Sequence, residues 1–218
     1  MEWDDTELFM AKNNSSDIPQ EYKTGFAKFY GRSFFVNKNV LIPRVETEEI
    51  IDIIRQCHSE LVSGSTICDL GCGSGCIGIT LALELNCNVT LIDISDKALE
   101  VAKINAKRLN ANVKIVKHDL LDGEDYDLVV ANLPYIPHAR INKLDPSVKD
   151  FEPHLALDGG KKGLDIIYRL LDNYPAKIII LEIDDTHKLK DFKKYGKVKI
   201  IKDRFNRNRF AIITPCIK

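Results

Sequence analysis

A short apolar run that ends in an acidic residue and three closely spaced glycines constrains this chain most: Ile67-Cys-Asp-Leu-Gly-Cys-Gly-Ser-Gly-Cys-Ile-Gly78. A strand must run into Gly71, Gly73 and Gly75, and a helix must begin behind them. Without a Cβ, glycines allow the tight turn and let a ligand meet the backbone. Strand, glycine turn and helix in that order open an α/β fold around a parallel sheet. By itself such a loop also suits nicotinamide and flavin binders.

The remaining chain keeps the same alternation. Strands are predicted at Thr66–Leu70, Val89–Ile92, Val113–Val116, Leu128–Ala131 and Lys177–Glu182, and helices at Thr47–Cys57, Cys76–Leu85 and Ser95–Leu109. Ser95 is the expected N-cap of the last helix, because its hydroxyl can accept from a free amide of the first turn. Val198–Lys202 and Phe210–Thr214 read as a closing antiparallel hairpin across the polar segment Asp203–Arg209. The expected architecture is a mostly parallel, doubly wound, seven-stranded sheet ending in that hairpin. Residues 1–24 read as a short arm or helix, and 25–218 as one domain. Four prolines between Pro134 and Pro153 mark an irregular segment of the kind that carries function.

Around the glycines, Asp69 lies inside the strand end, where its carboxylate can hold a cationic amino group or order the loop. Asp93 closes the next strand roughly 20 residues on, the spacing at which an acidic group meets ribose hydroxyls. Asp119 can accept from an adenine amino group while Leu120 packs beside the ring. With Gly71, Cys72, Gly73, Ser74 and Gly75, these residues outline an adenosyl pocket that needs no diphosphate. Taken singly, Asp93 and Asp119 could each be mere capping residues. Cys68, Cys72 and Cys76 lack a second pair at zinc spacing, so no metal is expected.

Asn132-Leu133-Pro134-Tyr135 follows the fourth predicted strand, at the carboxyl edge where open α/β sheets bind ligands. A planar amide or aromatic amine is a poor nucleophile because its lone pair is delocalised. The Asn132 side-chain oxygen and the Leu133 carbonyl can accept both its N–H bonds and aim it at an electrophilic methyl. Pro134 fixes the turn and Tyr135 offers a flat face to the acceptor. Alone, the tetrapeptide could equally be a strand-ending turn with a packed tyrosine.

With these residues in place the chain resembles the class I methyltransferases, whose fold is Rossmann-like. Within them it is similar to the protein-(glutamine-N5) methyltransferases of the release-factor type. The similarity runs from about Tyr22 to Ile213. It includes Pro43-Arg-Val-Glu-Thr-Glu48 in the entry segment, Glu152-Pro-His-Leu-Ala-Leu-Asp-Gly-Gly-Lys-Lys-Gly-Leu164 after the reaction motif, Leu181-Glu-Ile183 and Lys202–Arg209. The resemblance implies S-adenosylmethionine as cofactor, held by Gly71–Gly75, Asp93, Leu120 and Asn132. It also implies a release factor as protein substrate, its glutamine held by Asn132–Tyr135. Leu133 stands where that family usually has proline, and Asn-Leu-Pro-Tyr also occurs in ribosomal RNA adenine dimethyltransferases. Adenine methylation in RNA or DNA is therefore one alternative. A non-catalytic cofactor-binding role is another, because bacterial members usually carry a helical domain where this sequence has the arm. A small partner subunit could fill that place.

The bulk numbers fit a soluble cytoplasmic enzyme: 44% of the 218 residues are hydrophobic and 29% charged, and the net charge is -1. That balance argues against a protein that coats nucleic acid. No apolar stretch is long enough to span a membrane. The basic run from Lys188 to Arg209 reads as a solvated face. His118 and His138 read as structural or solvated, and the six cysteines as reduced thiols.

Overall fold

The computed structural model describes residues 18–57, 64–85, 87–173 and 176–215. Most of the expected arm, along with Cys216, lies outside them. Two strands, β1 (Phe26–Phe29) and β2 (Arg32–Phe35), form a small hairpin. The main sheet holds β3 (Thr66–Leu70), β4 (Asn88–Asp93), β5 (Val113–Lys117), β6 (Leu128–Ala131), β7 (Ile178–Glu182), β8 (Gly196–Lys202) and β9 (Asn208–Pro215). Their order is β5-β4-β3-β6-β7-β9-β8. The first five run parallel, while β9 is antiparallel to β7 and to β8. The expected seven strands and closing hairpin are thus present, with bounds moved by a residue or two.

Period-two alternation sends successive side chains to opposite faces, and both faces are covered. Leu128 and Val130 join Ile67, Leu91 and Ile54 in one buried cluster. Val129 and Ala131 join Cys68, Leu181 and Ile167 in the other. The first face is covered by helices α2 (Glu49–Cys57), α3 (Cys76–Leu85) and α4 (Asp96–Arg108), the second by α5 (Asp165–Asn173). Helix α5 is a short element that the sequence reading does not mark, although Ile166, Ile167, Tyr168, Leu170 and Leu171 all pack on this face. Ile167 and Leu170 are fully buried, which stabilises the fold by about 1.5–3 kcal/mol each.

The β1–β2 hairpin was also unmarked. Tyr30 and Gly31 form its tip, both at positive φ (47° and 73°), the handedness of a tight two-residue turn. Asn105 of α4 ties it down. Its Oδ1 accepts from the Phe35 amide, and its Nδ2 donates to the carbonyls of Phe35 and Ser74. One buried amide thus joins hairpin, helix and glycine loop. Ile18 and Tyr22, the latter on a short helix α1 (Gln20–Thr24), are buried with Val36, Val40, Ile42, Ala98 and Phe151. Residues 18–24 therefore pack into the domain.

The Lys188–Arg209 run is divided among several surroundings. Lys197, Lys199 and Lys202 are exposed on β8, the sheet's edge strand, where lysines discourage pairing with other chains. Arg204 instead pairs with Glu49 and Arg209 with the buried Asp203. Among the described residues, no helix is long and apolar enough to cross a membrane.

Candidate active site

Chain order reverses between β3 and β6, so the crevice of the fold opens at their carboxyl ends. Leu70 and Ala131 are paired across these strands. The glycine loop and the Asn132 tetrapeptide therefore leave the sheet side by side. Between them lies a cleft of about 250 Å³.

Gly71, Cys72, Gly73 and Ser74 line the cleft with Asp93, Asp119 and Leu120. Gly71, Gly73 and Gly75 all have positive φ. Asp93 Oδ2 accepts from the Gly73 amide at 2.9 Å and Oδ1 from the Ser95 amide at 2.9 Å. The Ile94 amide also bonds this carboxylate. Burial pushes the Asp93 carboxyl up, and these amides oppose the shift. Ser95 caps α4 as expected, its hydroxyl accepting from the Ala98 amide. Asp119 is half exposed and paired with Arg169 of α5 at 2.9 Å. Leu120 is buried at φ 68°.

Two expected cofactor ligands stand elsewhere. Asp69 and Gly75 do not line the cleft. Asp69 is buried beneath the loop, and its Oδ2 accepts from the Gly78 amide at 2.8 Å, so it orders the loop and the start of α3. Gly75 is a packing position, since a Cβ there would lie 2.9 Å from Ile79 Cδ1 and 3.2 Å from Leu91 Cδ1.

Burial pushes the Asp69 carboxyl from 3.8 up to about 7, with the Gly78 amide opposing and the Asp93 charge adding to the rise. Between those values the folded chain holds a proton that the unfolded chain has released, so this group's contribution to stability falls as pH rises through that window. Asp69→Asn lacks the titration. Its stability relative to the unsubstituted chain should therefore improve from about pH 5 to about pH 8, as read by urea titration without cofactor. Parallel pH profiles for the two chains would show that Asp69 is ionised throughout.

Cys68, Cys72 and Cys76 are buried apolar packing residues, and burial pushes the Cys76 thiol up to about 12. Among the described residues, no cluster has metal-binding geometry.

On the other wall, Asn132, Leu133 and Pro134 line the cleft. The Leu133 side chain is buried in the cluster that holds Leu70 and Ala131. Tyr135 does not line the cleft; its hydroxyl donates to Glu182 Oε1 at 2.8 Å. Glu182, at the end of β7, also accepts from the Thr47 hydroxyl at 2.7 Å, and Asn132 Nδ2 lies 3.5 Å from Thr47 Oγ. Burial raises the Glu182 carboxyl, opposed by those two hydroxyls and the charge of Arg209.

Several lining residues were not singled out as site residues in the sequence. Val40, Pro43, Arg44 and Thr47 come from the entry segment, and Pro153 and Leu155 from the segment after the reaction motif. The two segments are latched by Arg44 and the buried Glu152 at 2.6 Å. His118 also faces the cleft, whereas His138 pairs with Asp158 on the surface. The available signal was the entry and post-motif sequence itself, which marked the segments without saying which side chains turn inward.

A family model described as a methyltransferase domain matches residues 61–200. A release factor glutamine methyltransferase of Bacillus cereus is 46% identical over 166 residues, covering 72% of this chain and 59% of that protein. One of Koribacter versatilis is 45% identical over 157 residues, covering 70% of this chain and 56% of that protein. The chain thus spans little more than half the length of these curated relatives. Among solved structures, a methyltransferase from Pyrococcus furiosus superposes with a TM-score of 0.61 at 20% identity, covering 85% of this chain and 89% of that one.

Proposed function

The chain belongs to the methyltransferase-domain family, and on that premise we propose that it methylates the side-chain amide nitrogen of a glutamine, using S-adenosylmethionine. The substrate that fits this reading is the Gly-Gly-Gln motif of a peptide chain release factor. The carrying observation is the place of Asn132 and the Leu133 backbone on the wall opposite the glycine loop.

The cleft suits the cofactor's chemistry. Gly73 has open space where a Cβ would stand. Asp93 would hold a ribose hydroxyl with its remaining acceptor capacity, and Asp119 and Leu120, on the same cleft, would hold an adenine. When bound, S-adenosylmethionine supplies an electrophilic methyl on a sulfonium. The Asn132 Oδ1 and the Leu133 carbonyl accept the two N–H bonds of the amide, orienting its nitrogen in line with that methyl. Pro134 holds the turn, and Tyr135, outside the cleft, anchors the end of the tetrapeptide through its hydroxyl on Glu182. The nitrogen would gain the methyl carbon as the sulfonium's S–CH3 bond breaks, leaving a neutral thioether, and would release one N–H proton to solvent.

Adenine methylation draws less support. The Leu133 side chain that suggested it is 5% exposed and packs into the core. No Phe, Tyr or Trp lines the cleft among the described residues to stack on a base. A cytoplasmic location and a release-factor partner belong to this same reading, and a small partner subunit would be needed only if the isolated chain fails to turn over.

The test offers purified release factor and bulk RNA in parallel with labelled S-adenosylmethionine, followed by mass spectrometry. One methyl on the glutamine of the Gly-Gly-Gln motif is the expected result. Label on RNA alone would overturn the substrate assignment.

A further inference from the structure

The amide of Asn132 must present its oxygen, not its nitrogen, if it is to accept an N–H bond from a substrate amide. The two ends are nearly the same size and shape, so packing alone does not choose between them. The choice must come from the hydrogen bond on the far side of the Asn132 side chain.

That bond runs through Thr47 to Glu182. Thr47 is 2% exposed and Glu182 1% exposed, so water does not compete at either. Glu182 receives two hydroxyls, Thr47 on Oε2 at 2.7 Å and Tyr135 on Oε1 at 2.8 Å. A carboxylate only accepts, and each hydroxyl has a single proton. The Thr47 proton is therefore spent on Glu182, and the Thr47 oxygen turns only lone pairs toward Asn132. Asn132 Nδ2, at 3.5 Å, is the end that can meet them. A flipped Asn132 would set two acceptors against each other in a part-buried place. It would also offer a donor where the substrate brings donors.

We propose that Glu182 and Thr47 are positioning residues which, by engaging the Thr47 proton, hold Asn132 with Oδ1 facing the acceptor amide. This deepens the glutamine reading and rests on it. Three chain segments converge on the relay: the entry segment supplies Thr47, the end of β6 supplies Asn132, and the end of β7 supplies Glu182. Arg209 of β9 adds a favourable charge to Glu182, and its own guanidinium is steadied by Asp203 at 3.2 Å.

The test compares Thr47→Val, Thr47→Ser and Glu182→Gln with the unsubstituted chain. Valine keeps the shape but removes the oxygen, serine restores it, and glutamine can turn a donor toward Thr47 and reverse the order. Thr47→Val and Glu182→Gln should each lower kcat about 10²-fold, leaving cofactor affinity by calorimetry within about threefold and KM little changed. Thr47→Ser should recover most of kcat, which a role in packing alone would not predict. The Asn132 side-chain amide signals in NMR, assigned with Asn132→Ala, should shift in Thr47→Val and hold in Thr47→Ser. That readout needs no turnover, so it stands even if one variant folds poorly or the substrate proves different. Unshifted Asn132 signals, or a folded Thr47→Val with undiminished kcat, would overturn the relay. An unsubstituted chain that leaves release factor unmodified while the Asn132 signals still follow Thr47 would instead sink the glutamine reading and keep the relay.

Discussion

Asn132→Ala is expected to lower the rate of methyl transfer by about 10²–10³-fold while the chain stays folded and still binds cofactor. The residue lines the cleft between the glycine loop and the latched Arg44–Glu152 pair. Truncation there removes an acceptor at the reacting nitrogen without touching Asp93 or the glycine backbone. Cofactor affinity should fall by no more than about tenfold, one lost contact's worth. Asn132→Asp should not rescue the rate, because its second oxygen would face the lone pairs of Thr47. Single-turnover transfer, measured beside cofactor binding, separates the two effects. A variant with an unchanged single-turnover rate would remove Asn132 from the chemistry and leave the Leu133 carbonyl as the principal acceptor.

Gly163→Ala is expected to damage both stability and activity from outside the cleft. Gly163 has φ 71°, and a Cβ there would lie 2.0 Å from the Tyr135 carbonyl oxygen. Neighbouring Gly159 makes a similar approach, its Cβ direction pointing 2.6 Å from the Pro134 carbonyl oxygen. The loop after the reaction motif thus lies directly on the backbone of Pro134 and Tyr135, tied by the Gly159 amide to the Ile136 carbonyl. Neither backbone can give way without moving the tetrapeptide. Left-handed strain and overlap together should cost about 2–4 kcal/mol, a fall in Tm of roughly 5–15 °C for a chain of this size. Transfer should drop further than the folded fraction explains. Gly31→Ala is the control: its φ is 73°, but no atom lies within 4 Å of the added carbon. It should show only the strain, about 1–2 kcal/mol, with normal turnover of the folded protein. Equal effects at the two positions would mean the approach to Tyr135 is unimportant.

Five parallel strands and the closing hairpin were legible because buried strands read as apolar runs, and the glycine turn fixes a strand before it and a helix after it. Cys76–Leu85 was read with its observed bounds, and Ser95 as a cap has only local requirements. The β1–β2 hairpin escaped because Tyr30 takes a conformation that tyrosine seldom adopts, held by distant partners: Glu48 accepts from its amide and Asp52 from its hydroxyl. Helix α5 escaped because it is only nine residues long and follows a glycine-rich irregular segment. Gly71 to Ser74, Asp93, Asp119, Leu120 and Asn132 line one cleft, because each sits at or just after the end of a strand of the parallel sheet.

What the sequence determined by itself was the class of fold and the placing of the glycine loop and the Asn132 tetrapeptide at the carboxyl edge of the sheet. Each depends on residues close together in the chain, where spacing and φ preference are enough. Only the tertiary structure decided that Asp69 serves the loop from below, that Leu133 faces the core, and that Thr47 and Glu182 stand behind Asn132. Those assignments depend on which buried polar groups meet across 85 and 135 positions of chain. Such groups must find partners once water is excluded, but nothing local says which partner each will find.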